Sequence, residues 1–77
     1  MKVKLSFTAD LKYLVKGEDG AVMVETDESV CLREMIEGLG VPVDRVAFGA
    51  VDKQLKRLDY VPRDGETVVL LPPISGG

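Results

Sequence analysis

The chain has 77 residues, which leaves room for one domain. Apolar residues make up 45% and charged residues 30%, the balance of a globular rather than a disordered chain. A net charge of −3 disfavours a phosphate-backbone partner, and the absence of His with a single Cys excludes an intrachain disulfide, a His-containing triad and a Cys/His zinc site. A chain of this size buries only about 60% of the surface its unfolded form exposes, too thin a core to enclose a large active site unaided. Val68-Val69-Leu70-Leu71 is far short of a membrane span, and Met1-Lys2-Val3-Lys4 does not open a signal-peptide apolar core. The expectation is a cytoplasmic protein, since a lone Cys suits a reducing compartment, with neither nucleic acid nor membrane as partner.

Val3, Leu5 and Phe7 alternate with Lys2, Lys4 and Ser6, the period of a half-buried strand. Residues 10–16 carry Leu11, Tyr13, Leu14 and Val15 and predict a turn or a single helical turn. Gly17-Glu18-Asp19-Gly20 is a loop of turn-formers, and residues 21–25, with Val22 and Val24 on one side, read as a second strand antiparallel to the first. Leu32, Met35, Ile36 and Leu39 then fall at i, i+3, i+4 and i+7, the stripe of an amphipathic helix with Arg33, Glu34 and Glu37 opposite. Ser29 is the conventional N-cap, with Cys31 as the other candidate; Asp27 and Glu28 put negative charge near the positive end of the helix dipole. Gly40 suits the left-handed residue that ends a helix, and Pro42 discourages continuation.

Residues 45–51 read as a third strand, and 54–57 as a short fourth. Asp59-Tyr60-Val61-Pro62 predicts a turn or 3₁₀ segment, and Arg63-Asp64-Gly65-Glu66 a tight turn with Gly65 at positive φ. Residues 67–71, rich in β-branched side chains, form the last strand. One helix packed on a small mixed sheet, with first and last strands parallel at its centre, is an α+β fold of the β-grasp, or ubiquitin-like, class. The division expected is a β-grasp domain over 1–71 and a C-terminal tail over 72–77.

That tail, Pro72-Pro73-Ile74-Ser75-Gly76-Gly77, carries the chemistry. A terminal Gly-Gly arises by chance in roughly 0.5% of chains, and a frayed end is its plain alternative reading. Against that reading, Pro72-Pro73 favours an extended conformation leaving directly from a strand. Six uncharged residues at about 3.3–3.6 Å each reach roughly 20 Å. Gly76 and Gly77 lack Cβ atoms, so a partner's backbone or a nucleotide can approach the final carbonyl. A carboxylate there is ionised at neutral pH and a poor electrophile, so it needs activation, for which adenylation supplies the leaving group. The chain has no GxxxxGK[ST] and no strand-linked GxGxxG, so ATP and the sulfur donor come through a partner and no cofactor is expected on this chain.

The segment Asp64-Gly65-Glu66-Thr67-Val68-Val69-Leu70-Leu71-Pro72-Pro73-Ile74-Ser75-Gly76-Gly77 resembles the small subunit of molybdopterin synthase and its sulfur-carrier relatives. The opening residues 1–11 and the helix ending Glu37-Gly38-Leu39-Gly40 also fit. The resemblance implies a β-grasp sulfur carrier without a catalytic site of its own. An E1-like enzyme would adenylate Gly77, which becomes a thiocarboxylate. The tail, Pro72 to Ser75 included, would enter the large synthase subunit or another sulfur acceptor enzyme. It also implies an apolar docking surface on the sheet, matched by Leu55 and Leu71, with Lys12 as a basic residue near it. Thr8, where the family often has an aromatic, and Asp52, where it often has Asn, depart from the pattern. If Val68 and Leu70 point at the helix, Val69 and Leu71 face outward and form, with Leu55 and beside Ala47 and Gly49, an exposed apolar patch.

Alternatives of other kinds stand beside this. They are a carrier for thiamine or cysteine synthesis, a modifier whose Gly77 forms isopeptide bonds to Lys, and an interaction module with an inert tail. Cys31 reads as a small apolar or capping residue rather than a sulfur acceptor. The Lys12/Lys16 and Lys53/Lys56/Arg57 groups read as solvated or docking charges. The Asp27/Glu28 and Glu34/Glu37 pairs read as ordinary helix-surface carboxylates rather than metal ligands.

Overall fold

The computed structural model describes residues 1–27 and 29–73. It contains strands β1 (Lys2–Phe7), β2 (Ala21–Glu25), β3 (Phe48–Val51), β4 (Gln54–Lys56) and β5 (Thr67–Leu71), and helix α1 (Leu32–Gly38) between β2 and β3. The strands form one mixed sheet in the order β2-β1-β5-β3-β4. β1 and β5 run parallel at its centre, and the other neighbouring pairs are antiparallel. This is the ubiquitin-like β-grasp arrangement that the strand and helix periods predict.

The core follows from those periods. Val3, Leu5 and Phe7 of β1, Val68 and Leu70 of β5, and Leu32 and Ile36 of α1 are all but fully buried in one cluster. Each such side chain contributes about 1.5–3 kcal/mol relative to an exposed one. Leu11, in a 3₁₀ segment over Ala9–Leu14, closes one end of the core, so the turn predicted there is a 3₁₀ turn that hides Leu11 and leaves Tyr13 exposed. The turn before β5 is tied to β1: the Lys2 amide donates to Asp64 Oδ1 at 2.7 Å, and the Gly65 amide donates to the Lys2 carbonyl at 2.7 Å. Gly65 and Gly40 both take positive φ, as their turn and helix-end positions require.

Three boundaries differ from the sequence reading. The N-cap of α1 is Cys31, the second of the two candidates, rather than the conventional Ser29, and no side chain caps the helix. The amides of Leu32 and Arg33 donate instead to the carbonyls of Tyr60 and Leu58, each at 2.9 Å. A distant loop thus satisfies the orphan amides that a Ser cap would otherwise serve. The third strand begins at Phe48 rather than at 45, because Val43–Arg45 forms a 3₁₀ turn in which Arg45 and Val46 donate to the Pro42 and Val43 carbonyls. The fourth strand ends one residue early, at Lys56, where the chain turns through Leu58 and Asp59; the segment 59–62 is not 3₁₀.

Candidate functional site

The chain leaves the fold from the end of β5, and that end is held on both sides. The Thr8 amide and hydroxyl donate to the Leu70 carbonyl at 3.2 and 2.8 Å. The Ala47 amide donates to the Leu71 carbonyl at 2.9 Å. Thr8 therefore has a backbone-pinning role at the position where the resembled family often carries an aromatic. Pro72 is half-buried against the fold and Pro73 is exposed. The predicted site residues Ile74, Ser75, Gly76 and Gly77 lie outside the described residues.

The strand register assembles the sheet face turned away from α1. Ser6, Val69, Ala50 and Leu55 form one cross-strand row, and Leu71 pairs with Phe48 in the next. Paired residues on neighbouring strands point to the same side, so Val69, Leu71, Phe48, Ala50 and Leu55 share this face. Leu55 on the edge strand is 68% exposed. Val69 and Leu71 are half-buried rather than exposed, because Phe48 and Ala50 flank them across β3.

Of the small residues expected beside this patch, Ala47 is exposed just before β3, whereas Gly49 does not reach this face. Gly49 is buried and faces α1: a Cβ there would lie 2.9 Å from Val68 Cγ1 and 3.1 Å from Leu32 Cδ1. The outward positions of β3 belong to Phe48 and Ala50, which sequence reasoning left out of the surface. Extending the alternation of β5 across an antiparallel neighbour gives that parity once the starting residue of β3 is known.

Lys12 is exposed, its Nζ 5.3 Å from the centroid of the Tyr13 ring. It lies against Gly20, just before β2, whereas Leu55 lies on β4 at the opposite edge of the sheet. Leu55 is thus part of the apolar face, and Lys12, towards the other edge of the sheet, does not cluster with it.

A polar cluster fixes the turn that feeds β5. The Tyr60 hydroxyl and the Arg63 amide both donate to Glu66 Oε1, each at 2.7 Å. The Arg63 amide first, and the Tyr60 hydroxyl second, lower the pKa of Glu66. The same hydrogen bond, aided by burial, raises that of Tyr60. Cys31 is half-buried at the helix start, its Sγ 3.6 Å from Glu34 Oε1. Among the described residues no group of three or more His, Cys, Asp or Glu is placed to hold a metal ion. No described helix is long and apolar enough to cross a membrane.

Comparison with known proteins bears on the same geometry. A family model described as Mut7-C ubiquitin matches residues 1–75. Among solved structures, SAMP1 from Haloferax volcanii is similar over 100% of both chains at 18% sequence identity with a TM-score of 0.69, a likeness of fold. The curated proteins contain no match to this chain. The resemblance drawn from the strand, helix and tail motifs thus holds as a ubiquitin-like relationship, and the chain belongs to the Mut7-C ubiquitin family.

Proposed function

We propose that this chain is a sulfur carrier that works through Gly77 and has no catalytic site of its own. The observation that carries the reading is the placement of the β5 exit. A central strand, pinned by Thr8 on one side and Ala47 on the other, delivers Pro72-Pro73 beside an apolar face formed by Phe48, Leu71 and Val69. A partner that covers this face receives the following residues from a fixed origin. An uncharged tail ending in Gly-Gly presents little bulk to a narrow channel.

In this reading an E1-like partner binds ATP, and a Gly77 carboxylate oxygen attacks the α-phosphate. Pyrophosphate leaves, and the product is an acyl-adenylate. Hydrosulfide released by the partner's sulfur donor then attacks the acyl carbon and displaces AMP, giving the thiocarboxylate, AMP and a proton. The acceptor is the large subunit of molybdopterin synthase, to which this chain would be the small, sulfur-donating subunit in molybdenum or tungsten cofactor synthesis. That assignment rests on the resemblance of residues 64–77.

The test has two parts. Intact mass of the protein purified from its native cells shows whether Gly77 carries a free carboxylate or thiocarboxylate. Crosslinking from Leu55 or Phe48 during turnover identifies the acceptor. Recovery of a pterin-processing enzyme supports the assignment. Recovery of thiamine or cysteine enzymes, or of Gly77 joined to target lysines, replaces it.

A further inference from the structure

Beside the outer face, a cavity of about 660 Å³ opens between the start of β3, the end of β4 and the first turn of α1. Its apolar lining includes the buried Val46 and Leu58 and the more exposed Phe48 and Leu55. Among the described residues its charged lining is Arg33, Lys56 and Arg57 against the carboxylate of Asp44. A cationic rim is notable in a chain whose net charge is −3.

Arg33 is the more informative cation. It occupies the first turn of α1, at the positive end of the helix dipole, where a cation is disfavoured. No ion pair of Arg33 compensates for that among the described residues. Among the described residues Arg57 is held only by a contact of 4.0 Å to Asp59, with both side chains largely exposed, so its guanidinium is available at little cost. Lys56 sends its ammonium over the Tyr60 ring, 4.9 Å from the centroid, and lends the cavity its stem.

We infer that this cavity docks an extended, acidic protein segment whose apolar side chain enters between Phe48, Leu55, Val46 and Leu58 while its carboxylates meet Arg33 and Arg57. Charge complementarity selects an acidic occupant. No buried side-chain polar atom among the described residues lacks a partner, so the floor of the cavity holds no enclosed polar group that calls for a small ligand. An apolar floor with charges at the rim instead matches a protein segment. Phe48 and Leu55 also belong to the outer face, so a partner on that face reaches the cavity around β4. The inference rests on the carrier reading only in making that partner the one that takes the tail.

The probe is a short acetylated peptide alternating leucine with aspartate, titrated into the isotope-labelled full chain and followed by amide chemical shifts. Saturable shifts at Val46, Phe48, Leu55 and Leu58 are expected. Arg33→Glu should weaken the affinity about tenfold or more. Lys4→Glu, the same charge change at an exposed position of β1, should leave it unaltered. Removing a cation from the dipole's positive end leaves the Tm of Arg33→Glu unchanged or higher, which separates lost binding from lost folding. Absence of saturable shifts, shifts confined to Val69 and Ser6, equal binding of a leucine–lysine peptide, or equal weakening by Lys4→Glu would each overturn the inference. None of these readouts requires activation of Gly77, so failure here is distinct from failure of the carrier reading.

Discussion

Phe48 and Leu71 face each other across β3 and β5 on the sheet surface opposite α1, next to the point where the chain leaves the fold. The neighbouring row on the same face runs from Val69 through Ala50 to Leu55, the most exposed of the set. Because Leu55 is largely solvated, Leu55→Glu should change stability by no more than about 0.5 kcal/mol. The same substitution should slow adenylation by the activating partner, through a higher KM for the carrier. Denaturant unfolding alongside steady-state pyrophosphate release checks both halves.

Gly49 shows the opposite side of the same strand. A methyl group there meets Val68, whose β-branched side chain has little freedom to yield, and Leu32. Gly49→Ala should cost about 1–3 kcal/mol by overpacking, measured by chemical denaturation, and Gly49→Val more.

The hairpin joining β3 to β4 turns through Asp52 and Lys53, both at positive φ. Two-residue hairpin turns of this hand favour Asn-Gly, which reach the left-handed region at lower cost. The double substitution Asp52→Asn with Lys53→Gly should therefore raise stability by about 1 kcal/mol, seen as a higher Tm.

Glu66 has its pKa lowered in the folded state by the Arg63 amide and the Tyr60 hydroxyl. A depressed carboxylate stabilises the fold above its unfolded pKa and loses that contribution as pH falls through the folded value. The Tm advantage of the native chain over Glu66→Gln should thus be full near about pH 6 and shrink towards about pH 3. Tyr60 works in the other direction: its raised pKa gives a contribution present below the unfolded value and lost as pH rises through the folded one. Thermal melts across pH test both signs.

Much of the fold is written in local period. Val3, Leu5 and Phe7 announce β1, and Leu32, Met35 and Ile36 announce the buried stripe of α1. The parallel pairing of β1 with β5 follows from chain length and fold logic and is found in register. What local pattern does not carry is partnership at long range. The α1 amides find carbonyls of Leu58 and Tyr60, more than twenty residues away, so the Ser29 cap is not used. The 3₁₀ turn at Val43–Arg45 delays β3, and with that start unknown the outward parity of Phe48 is hidden. For the site, Val69 and Leu71 were legible from alternation, whereas the cavity beside Arg33 needs three separated segments brought together.

The most direct measurement is intact mass of the chain after incubation with its adenylating partner, ATP and a sulfur donor, run beside a chain lacking Gly77. The account predicts a gain equal to one sulfur less one oxygen, dependent on ATP and absent from the shortened chain. No gain under conditions where the partner releases pyrophosphate, or an equal gain in the chain without Gly77, would contradict it.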